Sequence, residues 1–342
     1  MSSVGSRLKK LRLEHGYSQS QLAEYLEIDQ SNLSKIENDK RNLNSVSAEK
    51  IFSLYNCTPE YLLGETDDYD RQKILFKSGR DVDLSVVAKI NQLAYHLIIL
   101  RDLDDNEPDK VKLPRLDASL KRQLGLDEYS PVDIFNLVPQ KIHNLTLSWF
   151  PMKRNVHGCC YKNGSDSIIL INSAHSKGHQ NFTLAHELYH LIDDNENSFI
   201  CSEGYTDIIE QKADDFASKF LISDNALYDF IDSNDIGEWS INDVVKCEQY
   251  FQLDHRNFIN RLYSEELISG DQFAEFSFNI MYKAGKLGYD TSLYEPTLGN
   301  KQYYSVGHII PLTERLCEKR KMTMGRRKDI LLDIFRDDLV DI

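Results

Sequence analysis

Near the middle of the chain two histidines stand four residues apart with a glutamate directly after the first: His186-Glu187-Leu188-Tyr189-His190. On a helix, residues four apart lie about 40° apart in projection, so both imidazoles can face one metal ion. Glu187, one residue on, faces the water that such an ion would activate rather than the ion itself. A hydrolytic zinc takes three protein ligands and keeps a fourth position open, which makes water a nucleophile near neutral pH. The candidate third ligand is Glu210, which opens a Glu-x-x-x-Asp pair with Asp214. Asp214, one turn further, is placed to hold an imidazole N–H behind the metal, the partner that metal-bound histidines usually have. These residue types suit peptide hydrolysis, with Glu187 as the general base and one zinc per chain, manganese substituting in vitro. An oxyanion donor is also required, and Tyr161, His175 and His179 are the candidates.

The elements that must position this set are readable from apolar spacing. Phe182, Leu184, Ala185, Leu188 and Leu191 bury the motif helix, and buried histidines need partners. A bare H-E-x-x-H can also be three solvent-facing side chains, so the second helix decides. That helix, 208–222, carries Ile209, Ala213, Phe216, Ala217 and Phe220 on one packed face. Upstream, Ser167–Asn172 reads as a buried strand expected to flank the cleft and to bind an extended peptide by strand addition. His175 and His179 sit in a Gly/Ser-rich stretch that reads as the rim of the pocket.

A second chemistry is legible in the first 64 residues. Val4, Leu8 and Leu11 form one stripe, Ser18 and Gln21 a capping box, and Leu22, Ala23 and Leu26 the inward face of a second helix. Asp29 stands at the cap of a third helix, Gln30–Asn38, with Leu33 and Ile36 inward and an amide-rich face outward. Ile51, Phe52, Leu54 and Tyr55 mark a fourth helix, and Thr58-Pro59 starts a fifth. A helix, a tight turn and a second helix with exposed amides at its N-terminal end is what reading adenine edges in the major groove requires.

These features carry two resemblances. The stretch from SQSQLAEYLEIDQSNLSKIENDKRNL to TPEYLLGE resembles the Cro/repressor-type (XRE) helix-turn-helix family over residues 4–64. The resemblance implies that Gln19, Lys40 and Arg41 hold phosphates while Gln30, Ser31, Asn32 and Lys35 meet bases of a double-stranded DNA operator. The order SIILIN, NFTLAHELYH, EQKADDFASKFL resembles the ImmA/IrrE metallopeptidases over about residues 131–225. It implies zinc on His186, His190 and Glu210, with Glu187 as base. Gly178-His179-Gln180 stands where that family commonly has basic residues, and the Met-Pro ending after the second helix is missing, which bears on substrate choice.

Composition bounds the rest. With 342 residues the chain is long enough for two or three cores. A formal charge of −14 argues against nucleic acid for the whole chain, but residues 1–64 are neutral, their bases clustering at Arg7–Arg12 and Lys35–Arg41. Such a domain would bind weakly as a monomer, so a homodimer is expected. Six cysteines without a C-x-x-C pair read as reduced thiols, and the longest apolar run, Tyr95–Leu100, is too short for a membrane span, so a cytoplasmic protein is expected. A long helix over 81–103, with Val86, Val87, Ile90, Leu93, Ala94, Leu97 and Leu100 on one side, needs a partner surface. The charged stretch 102–114 reads as a linker, 240–269 as helix, turn, helix with Val244, Val245, Tyr250, Phe251, Leu253, Phe258, Ile259 and Leu262 inward, and a basic knot from Lys319 to Lys328 precedes an amphipathic helix over 330–339.

The fold expected is multidomain and mainly α: an all-α helix-turn-helix domain (1–66), a helical connector and linker (67–130), an α+β zincin-like metallopeptidase domain (131–235) and a helical C-terminal region (236–342). The function expected is a DNA-binding regulator whose peptidase relieves repression by cutting itself or a partner repressor. The alternative is an antitoxin-type autorepressor whose peptidase-like body binds a toxin without proteolysis.

Overall fold

The computed structural model describes residues 3–67, 69, 83–104, 120–193, 198–202, 208–297 and 299–340. They fold as two compact units, Met1–Leu103 and Asp104–Ile342.

The first unit is all helical: α1 (Val4–Glu14), α2 (Gln19–Tyr25), α3 (Gln30–Glu37), α4 (Ser45–Tyr55), α5 (Pro59–Leu63) and α6 (Leu84–Leu103). Local chemistry sets the starts. Ser18 and Gln21 close a reciprocal capping box, and Thr58 caps α5 ahead of Pro59. Asp29 holds the cap position of α3 without a side-chain cap bond. Leu8, Leu11, Leu22, Leu33, Ile51 and Leu54 are buried together, each fully buried leucine contributing about 1.5–3 kcal/mol of transfer free energy.

The long helix α6 begins at Leu84, and positions 81 and 82 lie outside the described residues. It packs on α4 and α2, and all seven of its expected apolar residues are buried. Asn91 joins the contact, its Nδ2 donating to Leu54 O at 2.6 Å. The partner surface of this helix is thus inside the N-terminal unit, and the division between units falls at 103/104 rather than at 66/67. The linker expected over 102–114 lies outside the described residues from 105 onward. Asp104 is buried, its carboxylate paired with Arg315 and Lys319.

The second unit opens with α7 (Leu120–Gln123) and α8 (Ile134–Lys141), then β1 (Leu145–Phe150), β2 (Val156–Asn163) and β3 (Asp166–Asn172), followed by α9 (Lys177–Asp193), β4 (Ser198–Ser202) and α10 (Ile208–Leu221). Helices α11 (Asp224–Ser233), α12 (Ile241–Phe251), α13 (His255–Ser264), α14 (Gly270–Phe276) and α15 (Ile280–Lys286) come next. The chain ends with β5 (Tyr304–Gly307), α16 (Ile309–Glu318) and α17 (Met324–Asp333). The five-stranded sheet has the order β4-β2-β3-β1-β5, parallel only between β1 and β3. Its face bearing Leu145, Leu147, Cys160, Ile169 and Ile171 packs on Leu184 and Leu188 of α9, and the same core runs into Phe230, Phe251, Phe258 and Leu262.

Several expectations change. β3 is the central strand, paired along both edges, so no backbone group of Ile168–Ile171 is open for strand addition. The C-terminal region is helical but also returns a strand, β5, to the sheet edge beside β1. Gly307 makes that possible: its φ is +107°, and a Cβ there would lie 2.1 Å from Leu145 O. Tyr250, expected inside, is 54 % exposed while Phe251 beside it is buried. The amphipathic helix over 330–339 instead runs from Met324 to Asp333, because Thr323 caps it early and Phe335 turns left-handed at φ 59°. Cys57, Cys159, Cys160 and Cys247 are buried and Cys317 is half-buried, none of the five in a disulfide. No described helix is long and apolar enough to cross a membrane.

Candidate metal centre and DNA-reading helix

Helices α9 and α10 pack against each other, and the contact uses Ala213 and Ala217, both fully buried. Small residues let the helix axes approach, which brings the acidic side chains of α10 within reach of the imidazoles of α9. His186 Nε2 lies 3.1 Å from His190 Nε2 and 3.2 Å from Glu210 Oε2, and His190 Nε2 lies 3.3 Å from Glu210 Oε1. Donors held about 2.0–2.1 Å from a tetrahedral zinc stand roughly 3.3 Å apart, so these three side chains fit one such ion. Behind them, Asp214 Oδ1 is 2.8 Å from His186 Nδ1; the carboxylate only accepts, so Nδ1 carries the proton and Nε2 is turned toward Glu210 and His190.

The electrostatics follow from this crowding. Burial alone would push the His186 imidazole down, but the carboxylates of Asp214 and Glu210, with Glu187 adding, raise it to about 10. Burial would likewise raise Glu210, and the two histidines reverse it, to about 2.

Glu187 is fully buried between α9 and β2. Gly158 makes the room: a Cβ there would lie 2.7 Å from Leu170 O and 3.1 Å from Glu187 Oε1. Sequence reasoning did not single out Gly158, since one glycine in a strand has several meanings. Tyr161 alternates with Gly158 and Cys160 along β2, so it stands on the sheet face away from α9 and is no oxyanion donor for this site. His175 and His179 gather instead with His157 of β2, whose ring nitrogen Nδ1 lies 2.7 Å from His179 Nε2. Burial, and repulsion from His179 and His175, push His157 down to about 3.

In the first unit, the expected DNA contacts divide. Gln30, Ser31, Lys35 and Lys40 are exposed at or just after α3. Arg41 donates to Asn32 Oδ1 at 2.8 Å, coupling those two. Gln19 is half-buried and donates through Nε2 to Glu37 Oε2 at 2.8 Å. The basic cluster at Arg7–Arg12 is only partly available to phosphates. Arg7 is buried against the carbonyls of Tyr61 and Thr66 and the carboxylate of Asp67, and Arg12 is buried against Glu37, leaving Lys9 and Lys10 outward. The C-terminal basic knot is also partly spent: Arg327 is buried and paired with Glu314, and Lys319 with Asp104.

Comparison with known proteins agrees with both halves of this picture. Residues 8–62 match a helix-turn-helix family model, and residues 151–252 match the IrrE N-terminal-like domain. The HTH-type transcriptional regulator ImmR of Bacillus subtilis (strain 168) is 42 % identical over 65 residues, which are 19 % of this chain and 51 % of that protein. The chain therefore spans about half the length of that curated relative. An XRE-type helix-turn-helix domain at the N-terminus and an ImmA/IrrE-like peptidase-family domain downstream are joined here on one polypeptide.

Proposed function

We propose that this chain is a DNA-binding transcriptional regulator whose second unit is a zinc-dependent endopeptidase, which relieves repression by cutting the chain itself or a partner repressor. The observation that carries the reading is the triangle of His186, His190 and Glu210, with Glu187 fully buried beside it. His186, His190 and Glu210 would hold the ion. When bound, zinc supplies Lewis acidity, lowering the pKa of water and drawing electron density from a carbonyl.

The remaining steps belong to this chain's side chains. Glu187 takes a proton from the attacking water as the new C–O bond forms, and returns it to the amide nitrogen as the C–N bond breaks. Asp214 keeps the Nδ1 proton of His186, so that Nε2 stays available as a donor. At the other end, Gln30, Ser31, Asn32 and Lys35 meet base edges while Lys40 and Arg41 hold phosphates, in a homodimer bound to its operator.

The test is incubation of the purified chain with zinc, and separately with manganese, followed by mass spectrometry of fragments, with Glu187→Gln as control. Wild type is expected to release fragments ending between Asp102 and Pro114, or to cut an added partner repressor, and the variant to bind metal but cut neither. Identical fragments from both proteins would overturn the hydrolytic reading. Neutralisation of a toxin that persists in Glu187→Gln would point instead to a peptidase-like body that acts by binding.

A further inference from the structure

We propose that His157, His175 and His179 form a second transition-metal site, separate from the His186 triangle. The three imidazoles come from three segments: β2, the loop between β3 and α9, and the first turn of α9. One ring nitrogen from each lies within 4.8 Å of the others. The rings of His175 and His179 meet edge to face with centroids 4.5 Å apart, and His157 stands 4.8 Å from His179 and 5.4 Å from His175.

The fold aims these side chains deliberately. Val156 pairs with Ser202 and Gly158 with Cys201, so His157 is an extra residue bulged out of the ladder between β2 and β4. A bulge re-aims one side chain without disturbing its neighbours' alternation, which is how His157 turns toward α9 while Gly158 keeps its place under Glu187.

Two of the three rings are also held from behind. His179 Nδ1 faces the buried carboxylate of Asp254 at 3.3 Å, and His175 Nε2 contacts Arg154 O at 2.9 Å. Carboxylate and carbonyl only accept, so each of these nitrogens carries the proton and the other nitrogen of each ring keeps its lone pair. That is the arrangement that orients a metal-bound histidine, and it repeats the pairing of Asp214 with His186. Asp254 is also the N-cap of α13, accepting from Asn257 N at 3.0 Å, so an ion at this site would tie α9, β2 and, through Asp254, α13 into one unit.

The donor set chooses the ion. Three neutral imidazoles with no carboxylate among the donors suit zinc, cobalt, nickel or copper rather than magnesium or calcium. His179 and His186 are seven residues apart on α9, about two turns or roughly 10 Å along the axis, too far for one ion to serve both sets. The inference does not depend on hydrolysis at the His186 triangle.

Metal-stripped full-length protein titrated with zinc, and in parallel with cobalt, tests it by native mass spectrometry and by the visible absorption of bound cobalt. Wild type is expected to take up about two ions per chain. His157→Gln with His175→Gln is expected to take up one, with circular dichroism unchanged, and Glu210→Gln to lose the other. His175→Ala alone, in a loop, serves as the variant least prone to misfolding, and is expected to weaken the second ion selectively. A wild type that binds a single ion lost on changing Glu210, or two ions that both survive the changes at His157 and His175, would overturn the proposal.

Discussion

Glu37, fully buried at the end of α3, is gripped by Arg12 of α1 through two hydrogen bonds, Nε to Oε1 at 2.6 Å and Nη2 to Oε2 at 3.1 Å. Gln19 of α2 adds a third to the same carboxylate. Three helices of the DNA-reading unit are thereby registered on one acid. Arg12→Met would leave that charge buried and unpaired, at a cost of about 3–5 kcal/mol. Faster amide exchange across α1–α3 of the full chain is the expected readout. Replacing both partners with methionine should restore much of the loss, whereas equal exchange in single and double variants would show that the pair does not fix the helices.

The exposed side chains of α3 should separate into readers and holders. Lys40→Ala is expected to weaken binding to all duplexes alike and to reduce the salt slope by about one. Gln30→Ala is expected to cost about 1–3 kcal/mol on preferred sequences and to relax the preference at one position. Selection from a randomised duplex library, compared between the two variants at fixed salt, checks both.

Asp214 is 60 % exposed, so its removal should spare the fold. Asp214→Ala frees the Nδ1 side of His186 and is expected to lower zinc affinity about 10–100-fold. Competition against a chromophoric chelator measures it. An unchanged affinity would mean that the ring is oriented by packing alone.

Gly158→Ala forces a methyl group against a backbone carbonyl and toward Glu187. A stability loss of about 1–3 kcal/mol is expected, and under the proposed function also loss of hydrolysis with retention of metal, because Glu187 and the His186–His190 pair stand on different edges of α9. Urea unfolding and metal counting on the same preparation separate the two effects.

A buried pair away from the His186, His190 and Glu210 triangle sets a pH dependence. Burial raises the Glu248 carboxyl, offset only in part by His255 and Tyr294. His255 would be lowered by burial, but Glu248, 2.7 Å from its Nδ1, raises it above 6.5. Both groups bind protons more tightly folded than unfolded, so the stability they contribute is complete at low pH and is lost as pH climbs through their folded values. The stability difference between wild type and Glu248→Gln should therefore shrink as pH rises through the folded values of the two groups. A difference that grows with pH would show that folding favours the deprotonated pair instead.

The convergence of His186, His190 and Glu210 was legible because its signals are local: an i, i+4 pair on one helix and a carboxylate on a second helix whose alanines mark its packed face. The five N-terminal helices were legible for the same reason, through caps and apolar stripes. What escaped depends on contacts between distant segments. His157 is a single histidine in a strand, and only the bulge opposite β4 turns it toward His179. Arg7 and Arg12 looked like a solvated basic face, since nothing local announces that their acceptors lie on α3 and beyond α5. β5, four residues long and without clear alternation, is recruited by the exposed edge of β1 and by Gly307. The central place of β3 likewise follows from pairing order, which hydropathy does not encode.

Because α6 covers α4 within the first unit, where the polypeptide is severed decides what kind of fragment results. A break after Leu103 would leave the first unit whole, its α6 cover in place. A break before Leu84 would strip that cover from α4 and bare apolar surface around Ile51 and Leu54, leaving a fragment of lower stability.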